Sequence, residues 1–243
     1  MPQPILFSPK ISGAELDESG VKLDVILSSP SFSCVQTAKG LLKGIDEADL
    51  PICVEPGLAN YIASSGSDAN PHPPSVVNSS CPVYMTTDEL IKHGYHVDPL
   101  YTPSHSVEQL AKENGDVQKY YTRCYKTAQR IIEILERYSS ATIVLVTHAT
   151  TLDTIYRRRC SRAERGPKDF QNLWKNPTSI IPFLSLCRLA KDPNYNDWSI
   201  AQPPIFPLIH HGNWKFQWQV RLLRYSYQAM VVSNLISTKP IRI

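Results

Sequence analysis

The sequence predicts an α/β layer fold, a mainly parallel sheet with helices on both faces. Two observations carry this. Leu23–Leu27 (LDVIL) is a short apolar run that stops at Ser28-Ser29-Pro30 and hands over to a stretch with helical spacing. Asp116–Tyr138 is a strongly amphipathic helix, followed at once by Ala141–Thr147 (ATIVLVT), β-branched and apolar throughout. Such a continuous apolar run suits a strand buried on both faces of a parallel sheet. Strand and helix alternate in this order, which is the pattern of layered α/β folds.

The elements follow in turn. Leu23–Leu27 reads as a buried strand. In Cys34–Lys43 the apolar residues Val35, Ala38, Leu41 and Leu42 share one helical face. Ile52-Cys53-Val54 reads as a second short strand, stopped by Pro56-Gly57. Tyr61–Asp98 carries most of the loop signals. Asn70-Pro71-His72-Pro73-Pro74 is excluded from a helix interior, because proline removes a donor and clashes with the preceding turn. A short helix is expected near Thr86–Lys92, with Thr87 as its N-cap. In Asp116–Tyr138 the stripe is Val117, Tyr120, Tyr121, Cys124, Ala128, Ile131, Ile132 and Leu135, with Asp116 as cap. A helix from about Thr151 to Arg159, another over Asp169–Asn176, and strands over Ile180–Leu189 (interrupted at Pro182), Trp198–Ala201 and Trp214–Val220 complete the reading.

Composition narrows the class. The 243 residues make one large domain, or at most two at about 100–200 residues each. Hydrophobic residues are 42% and charged residues 19%, which supports a packed core. Twenty prolines against ten glycines point to stiff, long connections. A formal charge of +3 is too small to argue for nucleic acid or a membrane surface as partner. Neither a signal peptide nor an apolar stretch of membrane-spanning length is seen, and the six cysteines lack zinc-ligand or disulfide-framework spacing. The expectation is a cytoplasmic protein with free thiols, no metal and no cofactor.

Several residues are candidates for chemistry. His148, in Thr147-His148-Ala149-Thr150-Thr151, stands where a buried strand ends and a helix begins. Ligands gather beyond the carboxyl ends of such strands, and helix starts offer free N–H donors to anions. A capping or core histidine fits that position equally well. Ser28–Ser33 (SSPSFS) occupies the same kind of place after the first strand; taken alone, a plain N-cap is its better reading. Cys34 is not the nucleophile of a cysteine phosphatase. That mechanism wants an arginine at position 40, which is Gly40, so Cys34 is read as structural. His72, His93, His96, His105, His210 and His211 lack metal-ligand spacing and read as solvated loop residues. Glu55 is a candidate acid or ion-pair partner, with a surface carboxylate as the plainer alternative. Arg157-Arg158-Arg159 with Arg162, Arg165 and Lys168 reads chiefly as a solvated charged face.

Ser28-Ser29-Pro30 running on to Cys34-Val35-Gln36-Thr37-Ala38, then Val54-Glu55-Pro56-Gly57-Leu58, then Val144–Ala149 with Leu152-Asp153, resemble the histidine phosphatase (phosphoglycerate mutase-like) superfamily. The likeness is strongest to the C-terminal phosphatase domain of the ubiquitin-associated and SH3 domain-containing proteins. Lys168-Asp169-Phe170, Gln202-Pro203-Pro204, His211-Gly212 and Phe216-Gln217-Trp218 extend it, so that it runs from about residue 11 to 218 of a single domain, with 219–243 a C-terminal extension of unassigned structure.

The resemblance implies a phosphoglycerate mutase-like fold and hydrolysis of phosphate monoesters through a phosphohistidine. The nucleophile lies in an Arg-His-Gly motif on the first strand. A second histidine and arginines hold the phosphoryl group, and a carboxylic acid protonates the leaving group. By the resemblance His148 is the second histidine. The other positions depart from the pattern. No Arg-His-Gly occurs in the sequence, Ser33 stands where the phosphate-holding arginine is expected, and Asn60 displaces the acid. Serine lacks arginine's fixed charge and forked donors, asparagine is no acid, and catalytic sets of this kind lose about 10⁴–10⁶-fold when a key member goes.

The expectation is therefore a degenerate histidine-phosphatase-like protein lacking the family's first strand, whose absence would leave ladder groups of its neighbours unpaired. It acts by binding, with Ser29, Ser33 and His148 as a weak phosphate site for a phosphorylated protein or a small phosphate; homodimer formation is left open. The alternative is an active phosphate monoesterase, with protein phosphotyrosine among its conceivable substrates, whose Arg-His-Gly segment is missing from this chain.

Overall fold

The computed structural model describes residues 8–47, 49–61, 84–113, 115–137, 141–156, 185–191, 198–201 and 229–234. The expected helix over Asp169–Asn176, the strand over Trp214–Val220, the basic run from Arg157 and the proline-rich segment at Asn70–Pro74 lie outside them.

The described elements are α1 (Ser8–Glu18), β1 (Val25–Ser28), α2 (Phe32–Gly44), β2 (Ile52–Val54), a 3₁₀ turn (Pro56–Leu58), α3 (Thr87–Lys92), α4 (Val107–Ala111), α5 (Val117–Arg137), β3 (Thr142–Thr147), α6 (Ala149–Tyr156), β4 (Ser185–Lys191), β5 (Trp198–Ala201) and β6 (Ala229–Asn234). The strands form one sheet in the order β2-β1-β3-β6-β4-β5. β2, β1 and β3 are mutually parallel, with Ser28 opposite both Val54 and Val146. β6 runs antiparallel to β3 and parallel to β4, and β5 closes the order antiparallel to β4.

Strand alternation divides the core. Val25, Leu27, Ile143 and Leu145 face Ala128, Ile131 and Leu135 of α5 and Leu152 and Ile155 of α6. Ile26, Val144, Val146, Ile52 and Val54 face Val35, Ala38, Leu41 and Leu42 of α2 and Leu16 of α1. The parallel strands are thus apolar on both faces because each face is covered by a helix layer.

The helix boundaries show where local chemistry is decisive. The N-cap of α3 is Thr86, not Thr87. Its hydroxyl accepts from Glu89 N while the Glu89 carboxylate accepts from Thr86 N, a reciprocal capping box. Asp116 caps α5 as expected, its Oδ1 accepting from the backbone of Gln118 and Lys119. α6 starts at Ala149, two residues before the expected Thr151.

α1 and β6 are absent from the sequence reading. α1 crosses α2 on small residues: a Cβ on Gly13 would overlap the Leu41 carbonyl oxygen, and one on Gly44 the Lys10 carbonyl oxygen. α1 ends in Gly20 at φ +75°, with Gly20 N bonded to Asp17 O and Val21 N to Leu16 O, which turns the chain toward β1. β6 changes the expected consequence of a missing strand. It pairs along the whole of β3, from Thr142–Asn234 to Thr147–Ala229, and equally along β4. The flank of β3 turned away from β1 is therefore satisfied by a strand from the segment left unassigned.

Gly44→Ala drives a methyl group into the α1 backbone, and overpacking of this kind costs about 1–3 kcal/mol. Urea unfolding of the variant is expected to show that loss with an unchanged m-value.

Candidate anion-binding site

Parallel neighbours end side by side. Because Ser28 pairs with Val146, and Ser29 N donates to Val146 O at 2.9 Å, the serine turn after β1 lies against the end of β3. His148 follows that end, and its Nε2 stands 3.3 Å from Ser29 Oγ, 3.4 Å from Ser31 Oγ and 3.7 Å from Cys34 Sγ. Sequence reasoning singled out His148 and Ser29. It placed Ser31 only within the Ser28–Ser33 segment, without singling it out, and treated Cys34 as structural; position after a strand end was the available signal for both.

Ser31 precedes α2 as its N-cap, yet its hydroxyl makes no capping bond and turns to His148 instead. The plain capping reading of this segment is thereby corrected. Ser29 is fully buried, while Ser33 is exposed on the first turn of α2 next to the Cys34 thiol. Burial pushes the Cys34 thiol up to about 11, against the opposing hydroxyls of Ser31, Ser29 and Ser33. At neutral pH it is a thiol, neither nucleophile nor anion, which agrees with rejecting a cysteine-phosphatase reading. The hydroxyls around Nε2 can donate or accept, so they tolerate either protonation state of the imidazole. The distances are long for hydrogen bonds.

Opposite lies the turn carrying Asn60. Its Oδ1 accepts from Thr150 Oγ1 at 2.6 Å and from Tyr61 N at 2.9 Å, which sets the carboxamide against the first turn of α6. Thr147 Oγ1 donates to Leu58 O and Thr151 Oγ1 to Ala59 O. From α5, Arg123 Nη1 donates to Gly57 O and Ala59 O while its Nε pairs with Glu113. Threonines from the end of β3 and the start of α6, together with a buried arginine, thus hold the four-residue stretch Gly57–Asn60 and supply donors to the carbonyls of Gly57, Leu58 and Ala59.

Glu55 is a correction. It is no surface carboxylate, being 1% exposed, and among the described residues its bonds are to neutral donors rather than to a cation. Oε1 accepts from Gly57 N and Ser104 Oγ; Oε2 accepts from Tyr101 Oη and Ser104 N. A Cβ on Gly57 would meet Thr127 and Ser104, so only glycine fits inside this knot. His105, expected as a solvated loop residue, is half-buried with Nδ1 2.9 Å from Ser104 Oγ. His93 and His96 are exposed as expected. Among the described residues no group of three or more His, Cys, Asp or Glu is placed to hold a metal, and no helix is long and apolar enough to cross a membrane.

A six-stranded, mainly parallel α/β sheet with its candidate histidine at a strand end is a phosphoglycerate mutase-like fold, and over most of its length the chain is similar to proteins of the histidine phosphatase superfamily. No family model matches it. It is 30% identical over 217 residues to ubiquitin-associated and SH3 domain-containing protein B of Mus musculus, covering 88% of this chain and 31% of that protein. Protein A of Homo sapiens is 26% identical over 215 residues, covering 88% and 30%. Ecdysteroid-phosphate phosphatase of Drosophila melanogaster is 27% identical over 215 residues, covering 88% and 26%. The chain spans less than a third of the length of these relatives. Its fold matches the crystal structure of the Bombyx mori ecdysone phosphate phosphatase in complex with tungstate, with a TM-score of 0.57 and 21% identity over 88% of this chain and 76% of that one.

Two outcomes follow from the knot. In Glu55→Gln each carboxamide orientation aims an NH₂ at a backbone N–H, Gly57 in one and Ser104 in the other. A loss of about 1–3 kcal/mol in urea unfolding is expected. Burial holds His105 below its ordinary 6.5. Its contribution is therefore full above that value and lost as pH falls through the folded one. Thermal unfolding scanned downward from neutral pH is expected to show this loss, flattened in His105→Gln.

Proposed function

We propose that this chain is a degenerate histidine-phosphatase-like domain that binds phosphoryl-type anions at His148 and does not turn them over. The single observation that carries the reading is the composition of the cluster: two hydroxyls and a protonated thiol at Nε2 of the histidine that the family uses to hold phosphate. Serine at position 33 and asparagine at position 60 support it. Transition-state charge in phosphoryl transfer demands fixed cations and a proton donor. Hydroxyls and the uncapped first turn of α2 supply hydrogen bonds of the kind that suffice for weak ground-state binding. The expected ligand is a phosphorylated protein or a small phosphate.

A second reading is an active phosphate monoesterase. The relatives named ecdysteroid-phosphate phosphatase favour it.

The two are separated by one preparation. Phosphate or tungstate at ten times its Kd adds about 1.4 kcal/mol, which raises Tm by a few degrees for a domain of this size. That shift is expected in the wild-type chain and is lost in His148→Ala. No hydrolysis of p-nitrophenyl phosphate above background is expected. Turnover abolished by His148→Ala establishes the second reading and removes the first.

A further inference from the structure

Beside the cluster runs a partly exposed strip that nothing above uses, in which Phe32 and Ile91 are exposed while Tyr95 and Lys39 are half-buried and Tyr95 packs against the core. The strip starts at Phe32, the residue after Ser31, so its backbone is one Cα step, about 3.8 Å, from a partner of His148. Phe32 is 37% exposed. Its ring meets that of Tyr95 edge-on, with centroids 5.9 Å apart and planes at 84°. Tyr95 is held by the end of α3: Gly94, at φ +74°, bonds to Ile91 O, and Tyr95 N bonds to Leu90 O. Lys39 Nζ lies 4.8 Å above the Tyr95 ring and 3.4 Å from Gly94 O. Ile91, 44% exposed, precedes the same turn.

Scattered exposed apolar residues are ordinary. This strip differs in three linked ways: its aromatic rings are ordered against each other, a positioned ammonium closes its far end, and its near end adjoins the candidate anion site. We infer that Phe32, Tyr95 and Lys39 form the docking surface for the polypeptide that carries the phosphoryl group. The inference rests on the binding reading above and names its ligand: a phosphorylated protein segment, with an apolar side chain next to the phosphorylated residue and an acidic one within the following few. An extended peptide advances about 3.3 Å per residue, so a few residues of ligand reach from Phe32 past Tyr95, whose ring centroid lies 5.9 Å from that of Phe32. Phe32 and Tyr95 cover the apolar side chain, and the Lys39 ammonium complements the acidic one. Free inorganic phosphate reaches none of these groups.

The test uses the full chain, inorganic phosphate and two phosphotyrosine peptides. One peptide has leucine next to the phosphotyrosine and aspartate two residues further; the other has serine at both places. Calorimetry is expected to show the first bound about tenfold more tightly, as for an interface anchored by a few aromatic contacts. Phe32→Ser, a change at an exposed side chain, is expected to bring the two within about twofold while leaving the phosphate-induced Tm shift intact. Lys39→Glu is expected to remove the preference for aspartate alone. Equal affinities in the wild-type chain, or a preference that survives Phe32→Ser, overturns the inference. If phosphate shifts Tm and the peptides are not distinguished, this inference falls and the binding reading stands; if neither phosphate nor peptide binds, both fall.

Discussion

The parallel pairing of β1 with β3 is the constraint on which the site depends. Two adjacent parallel strands release their chains at the same edge of the sheet, so the serine turn and His148, more than a hundred residues apart in sequence, meet at hydrogen-bond range. The bond from Ser29 N to Val146 O continues the ladder one step past β1 and fixes the first serine at that edge. Apolar helices on both faces hold the strands in register, because a slip by one residue would turn Val25 and Leu27 away from α5 and α6.

Around that edge, polar satisfaction does what apolar packing does in the core. The turn from Gly57 to Asn60 is irregular and buried, and its carbonyl groups need donors. Thr147, Thr151 and Arg123 provide them. The Glu55 carboxyl performs the complementary task for the backbone N–H groups of Gly57 and Ser104. Glu55, a candidate acid in the sequence, is here engaged with backbone and neutral hydroxyls, as Arg123 and the threonines are with backbone carbonyls.

The small group at His148 Nε2 makes the likeness to a phosphatase superfamily compatible with the proposed binding role. A fold keeps its frame through packing, whereas turnover requires particular side chains at particular atoms. The frame is retained in this chain, as the match to the Bombyx mori enzyme's fold shows. Positions 33 and 60 carry serine and asparagine, side chains with neither a fixed charge nor an acidic proton.

Periodicity made α2, α5, β1, β2 and β3 legible, since each has a face or run whose burial is decided locally. α1 was not, because a helix that crosses its neighbour on Ser12 and Gly13 has no apolar stripe to read. β6 was not, because its strand character comes from partners more than 80 residues earlier in β3. Asp116 was recognisable as a cap, whereas Ser31 holds the N-cap position of α2 without a side-chain capping bond, its hydroxyl lying near an imidazole that only the folded sheet brings close. By itself the sequence determined the layered α/β class, the covered parallel strands and the place of His148 at a strand end, because hydrophobic spacing and residue type are local properties. The tertiary structure decided which side chains face that histidine, that Glu55 is buried, and that the far flank of β3 is paired. Those are matters of register and distance between segments, which no local pattern encodes.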